Sequence, residues 1–148
     1  MSTDSIADRQ NAIVAEFEKI SDWQERYRRI IQLGRDLAPM DESLHTDRNK
    51  VKGCQSQVWL HATLAGDRIV FTGDSDASIV KGLVALVIGA YSGQRPADII
   101  AVPPDFIDRI GLSDNLSQTR ASGLAAMIKQ VKLYAIAFDA LLKQRPQA

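Results

Sequence analysis

The chain has one cysteine, Cys54, and two histidines, His45 and His61, among its 148 residues. A single thiol cannot close an internal disulfide. Even with both histidines it cannot complete a four-ligand zinc or iron–sulfur site at ordinary spacing, so no metal is expected. An unpaired cysteine suits a reducing compartment, and a cytoplasmic protein is the expectation. Net charge is also missing, because Lys plus Arg and Asp plus Glu number 18 each. Phosphate binding needs a basic surface, so no nucleic-acid partner is expected, although a local basic patch stays open. No window approaches 18 uninterrupted apolar residues, so no membrane span is predicted. Met1-Ser2-Thr3-Asp4 lacks the basic and apolar regions of a secretory leader. Repeats and low-complexity segments are absent too. What remains is 45% apolar and 24% charged, the composition of an ordinary globular protein. The length fits one domain, residues 1–148, with a real core.

The residues around the thiol are unusual. Arg48, Lys50 and Lys52 precede Cys54 with no acid among them. Nearby positive charge favours the thiolate, which is the attacking form. Gly53 removes a side chain beside the sulfur and permits unusual backbone angles. Gln55, Ser56 and Gln57 supply neutral donors on the other side. Against this stands the commoner role of a lone cysteine as a small core hydrophobe, and burial would cancel the cationic effect. Local chemistry alone leaves a reactive and a structural Cys54 balanced.

Elsewhere the pattern is mostly helical. Ile6, Ile13, Phe17 and Ile20 recur at helical spacing over 5–20. Asp22 and Glu25 resemble a capping box that opens a second helix. Trp23, Tyr27, Ile30, Ile31 and Leu37 give that helix an apolar stripe of the kind that faces a core rather than a ligand. Residues 38–55 show no period and form a long connection, a type often functional, with Cys54 at its end. Gln57 to Leu64 alternates, with Val58, Leu60, Ala62 and Leu64 on one face. Gly66-Asp67 signals a turn, and Arg68 to Thr72 reads as the second strand of a hairpin. Such a hairpin is marginal alone, so a third short strand is expected near 49–52. His61 lies on the polar face of the first strand, roughly 20 Å or more of extended chain from Cys54, and reads as a solvent-facing bystander. His45, in the connection, could approach the thiol.

Gly73-Asp74-Ser75-Asp76 reads as the cap of a helix over 77–88, with the aspartates stabilising its dipole rather than holding a metal. That helix is apolar around most of its circumference and should be the central buried one. Lys81 interrupts it, and either snorkels or pairs with Asp74 or Asp76. Gly93 closes it. Short helices follow from Pro96 and over 105–110, with Pro103-Pro104 between them. Leu124, Met127, Ile128, Val131, Tyr134, Ala135, Phe138, Leu141 and Leu142 define a long last helix ending before Pro146. The predicted class is α+β, helices packed on a small antiparallel sheet.

Several segments carry a resemblance: Lys52-Gly53-Cys54-Gln55-Ser56-Gln57-Val58-Trp59, Gly73-Asp74-Ser75-Asp76-Ala77, Ile79-Val80-Lys81-Gly82-Leu83 and Arg120-Ala121-Ser122-Gly123-Leu124. Trp23-Gln24-Glu25-Arg26-Tyr27 and Leu33-Gly34 add to it. From about residue 13 to 136 the chain resembles the SufE family. Gln55-Ser56-Gln57 is more similar to the branch that includes SufE itself than to its paralogue CsdE, which would feed another sulfur pathway. The resemblance implies an α+β fold related to that of IscU-type scaffolds, with the cysteine on a loop tip. It implies a carrier rather than an enzyme. Cys54 would take persulfide sulfur from a SufS-like cysteine desulfurase, stimulate that enzyme, and deliver the sulfur to a SufBCD-like iron–sulfur scaffold. Pyridoxal phosphate would sit on the desulfurase and no cofactor on this chain, and a homodimer is compatible. The implied partner-binding residues are Lys52, Gly53, Gln55, Ser56, Gln57, Asp74, Asp76 and Arg120. The loop is expected to tuck Cys54 against apolar neighbours until a partner draws it out. Three rivals stand beside this reading. A cysteine hydrolase or transferase would need a histidine at the thiol. A cluster scaffold would need a second chain. An interaction domain would not need the thiol at all.

Overall fold

A computed structural model describes residues 4–145; Met1 to Thr3 and Pro146, on which two of the readings above rest, lie outside them. Helix α1 spans Ile6–Glu18 and opens with a capping box in which Ser5 and Asp8 satisfy each other's backbone N–H groups. Helix α2 spans Trp23–Asp36, capped by Asp22, which accepts from the Gln24 N–H. Glu25 does not complete a box there; it pairs with Arg28 instead. Strands β1 (Val58–Ala65) and β2 (Arg68–Ser75) form an antiparallel hairpin in the register Val58 with Ser75 through Ala65 with Arg68. Val58, Leu60 and Ala62 point into the core, as the alternation predicts. The expected third strand reduces to one bridge, Lys50 with Trp59, fixed by the Val51 N–H on the Val58 carbonyl at 2.8 Å. The segment turns away immediately afterwards at Gly53.

Helix α3 (Ser78–Tyr91) is the central one. Val80, Leu83, Val84, Leu86, Val87, Ala90 and Tyr91 are all buried. It crosses α2 at a contact that two glycines make possible. A Cβ on Gly82 would fall 2.1 Å from the Ile30 carbonyl oxygen, and one on Gly34 would fall 2.7 Å from the Gly82 nitrogen. Three short helices follow: α4 (Pro96–Ala101), α5 (Phe106–Arg109) and α6 (Leu112–Asn115), the last unforeseen in the sequence pattern. Helix α7 (Gln118–Gln144) then packs across α3, α4 and β1. Ser117 caps it by accepting from the Arg120 N–H, and Lys132 ties it to the ends of α4 through the Ile99 and Val102 carbonyls. Its apolar stripe holds through Ala135 and half-buries Phe138. Leu141, expected in the core, is 47% exposed, because the helix has by then run past the rest of the fold. None of the described helices is long and apolar enough to cross a membrane.

The connection between α2 and β1 is not loose. It makes short 3-10 turns at Glu42–Leu44 and Asp47–Asn49. Met40, Asn49 and Val51 are buried along it. Asn49 donates to the Leu44 carbonyl at 2.9 Å, which braces one turn against the other.

Candidate functional site

Cys54 sits where this braced connection bends into β1. Gly53 makes the bend at φ 92°, in the left-handed region that a side chain disfavours. The bend turns the thiol inward onto the first turns of α7. Sγ donates to the Gly123 carbonyl at 3.5 Å. Gly123 also leaves the space open, because a Cβ there would stand 3.6 Å from the sulfur. Cys54 is half-buried and packs against the hydrophobic core. Beside it lies a cavity of about 20 Å³ lined by Gln55, Ser56, Val80, Thr119, Arg120 and Met127. Burial pushes the thiol pKa above its ordinary value. The cations upstream do not reverse that, so of the two opposing effects weighed in the sequence, burial outweighs nearby charge. Val51 is buried, so its neighbours Lys50 and Lys52 project outward on the other side of the chain. Together with Arg48 they line a separate groove. Arg120 is the one cation that borders the thiol cavity.

The remaining predicted residues fall into two groups. Gln57 and Asp76 clasp each other across the open end of the hairpin. The Gln57 N–H donates to the Asp76 carboxylate at 3.0 Å, and the Asp76 N–H donates to the Gln57 carbonyl at 3.2 Å. Asp74 lies apart from the thiol cavity. It accepts from His45 Nε2 at 2.7 Å, from the Ser75 N–H at 2.8 Å, and pairs with Lys81 at 3.3 Å. Burial pushes its pKa up, but these three donors outweigh it and hold the carboxyl below the ordinary range. The hydrogen bond that His45 donates to Asp74 correspondingly raises the pKa of His45, whose ring also stands edge-on to Trp59 at 4.7 Å.

Neither aspartate caps α3, which corrects the sequence reading. Strand β2 runs on through Ser75, so Gly73, Asp74 and Ser75 belong to the sheet, and the N-cap is Ala77, without a side-chain cap bond. Both histidines are committed elsewhere than at the thiol. His45 is held on Asp74, and His61 is half-buried against Asn49 at 3.3 Å rather than facing solvent. Among the described residues, no group of three or more His, Cys, Asp or Glu comes together as a metal site.

Sequence reasoning missed Gly123, Val80 and Met127 as the floor of the thiol site. A glycine in the first turns of an otherwise helical run was the available signal for Gly123. The His45–Asp74 pair had none, since the two residues are far apart in the chain.

The arrangement is a single thiol on a strained turn, folded back onto a helix and clasped at its exit. Chains of known kind resemble this one in fold and in sequence. A solution structure of a hypothetical protein from Thermus thermophilus has the same fold, with a TM-score of 0.75 over 89% of this chain and 96% of that one, at 19% identity. An uncharacterized SufE-like protein of Rhizobium meliloti is 43% identical over 81% of this chain and 89% of its own length. One of Rhizobium etli is 43% identical over 81% and 84%, and one of Synechocystis is 41% identical over 86% and 80%. Residues 11–135 match the SufE family, described as an Fe-S metabolism associated domain. The chain belongs to the SufE family, and its domain is one associated with iron–sulfur metabolism.

Proposed function

We propose that this protein is a sulfur acceptor and activator for a cysteine desulfurase, with Cys54 as the acceptor and iron–sulfur assembly as the destination. The observation that carries this is the placement of the only thiol, held half-buried on a glycine turn beside a cavity with room for roughly one water-sized group. A space of that order suits the outer sulfur of a persulfide.

The step is a thiol exchange. Cys54, as thiolate, attacks the outer sulfur of the desulfurase's persulfide. A new S–S bond forms to Cys54, the old one breaks, and its electron pair leaves on the desulfurase cysteine as thiolate. The outer sulfur keeps its proton throughout, and no net oxidation occurs. Pyridoxal phosphate on the partner generates the persulfide. This chain supplies the thiol, the bend and the shield. Lacking a second cysteine, it has no resolving thiol to expel the sulfur prematurely. The free protein disfavours the thiolate through burial, so activation falls to the partner. Docking at the exposed residues Lys52, Gly53, Gln55, Gln57, Asp76 and Arg120 would lift the loop from α7. Asp74 supports the loop through His45 rather than by direct contact.

Alanine release by a cysteine desulfurase supplied with cysteine and no added reductant tests this reading. Added wild-type protein should raise turnover several-fold, and Cys54→Ser should not. Equal stimulation by both would support an interaction-domain role instead.

A further inference from the structure

The groove that takes up Arg48, Lys50 and Lys52 is a charged surface of which the reading above uses only Lys52. It measures about 410 Å³ and is completed by Asp47, Ala126, Lys129, Gln130 and Leu133. Lys50 and Lys52 stand side by side because Val51 between them is buried, and Lys129 and Leu133 face them from successive turns of α7. Lys50 has a distant ion pair with the fully exposed Asp47, at 4.0 Å. Among the described residues, Arg48, Lys52 and Lys129 have neither an ion pair nor a side-chain hydrogen bond. Most other cations of this neutral chain reach a carboxylate or a carbonyl, as Lys81, Arg95 and Arg26 do. The groove also has an apolar wall, formed by Ala126 and by Leu133, which is 49% exposed. It abuts the thiol loop, since a Cβ on Gly53 would stand 3.4 Å from the Ala126 Cβ.

We infer that this groove docks an acidic, leucine-bearing segment of the protein that donates sulfur to Cys54. The inference rests on the acceptor reading above and adds the docking surface and its chemistry. Unpaired cations on an exposed face gain most from a partner's carboxylates, and the Leu133 wall gives such a segment an apolar anchor. A nucleic acid fits less well, because no aromatic side chain lines the groove for base stacking. Its position also has a mechanical consequence. A segment bound to Lys50 and Lys52 on one side and to α7 on the other holds the two walls between which the thiol loop must open.

The test uses the full chain and Arg48→Glu/Lys129→Glu, two exposed groove positions outside the thiol loop, with Arg35→Glu on α2 as a charge change outside the groove. Desulfurase is titrated and sulfur transfer to Cys54 is followed. The double variant should need about tenfold more desulfurase for half-maximal labelling, yet label fully at saturation, while Arg35→Glu behaves as wild type. Unchanged demand in the double variant overturns the inference and leaves the acceptor reading intact. If wild type itself takes no sulfur, the acceptor reading falls, and a second arm still decides the groove. In that arm the 15N-labelled chain is titrated with a short peptide of alternating Glu and Leu. Saturable amide shifts at 48–52 and 126–133, weakened by salt, support the groove as an acidic-segment site. No saturable shift there overturns it, as does tighter binding of a short single-stranded oligonucleotide.

Discussion

Asp76 and Gln57 hold each other by two hydrogen bonds, carboxylate to backbone N–H at 3.0 Å and backbone N–H to carbonyl at 3.2 Å. This clasp lies just past the Val58–Ser75 pair that ends the hairpin ladder. It therefore fixes the exit of the loop that carries Cys54. Asp76→Ala removes the carboxylate half and keeps the backbone half. Loss of about 1 kcal/mol of stability is expected, the usual worth of such a bond. Alkylation of Cys54 should accelerate at the same time, because the loop opens more often. A variant that loses stability with no change in alkylation would show that the clasp does not govern the thiol.

The turn at Gly53 supplies a second prediction. At φ 92°, with only ordinary contact at 3.4 Å for an added Cβ, the cost of Gly53→Ala is conformational rather than steric. It should destabilise by about 1–2 kcal/mol. Gly53→Asn should cost less, since asparagine visits positive φ more readily. Denaturant midpoints of the two variants decide this, and equal losses would contradict it.

The thiol itself should titrate late. Burial raises the Cys54 pKa, so the folded protein binds that proton more tightly than the unfolded chain. The associated stability is complete below the ordinary thiol pKa and is lost as pH rises through the higher folded value. Alkylation of the native protein should accordingly be slower than that of the urea-unfolded chain near neutral pH, with its midpoint displaced upward. A native midpoint at or below the unfolded one would mean that the thiol is not shielded.

A fourth prediction concerns His45 and Asp74. Bonding to Asp74 raises the pKa of His45, so its contribution is complete below about pH 6.5 and is lost as pH rises through the folded value. Asp74, held low, contributes above the ordinary carboxylate pKa and loses its contribution as pH falls through the lowered one. Glu42 also faces His45, and Lys81 shares Asp74. The melting-temperature gap between wild type and His45→Gln should be wider at pH 6 than at pH 9. A gap independent of pH would assign His45 a packing role against Trp59 only.

Much of this was legible before any coordinates. Alternation in Val58 to Leu64 set the hairpin face, and the apolar run after Ser78, interrupted by Lys81, set the central helix, because both patterns are local. The Cys-centred octapeptide located the thiol. The errors arose where neighbours distant in sequence decided the outcome. Asp74 looked like a cap because Gly-Asp-Ser-Asp usually is one, yet β2 pairs with β1 through Ser75 and absorbs it. Arg48, Lys50 and Lys52 looked like activators of the thiol because sequence proximity carries no direction. Burial of Val51 turns Lys50 and Lys52 away from it. Gly123 became the partner of Cys54 only through the path of α7.

The central claim is that Cys54 captures sulfane sulfur. Its most direct test is the intact mass of this protein after incubation with a cysteine desulfurase, pyridoxal phosphate and cysteine. The expected result is a gain of one sulfur atom, reversed by reductant and absent from Cys54→Ser. An unchanged mass with several desulfurases, or a gain that persists in Cys54→Ser, would contradict it.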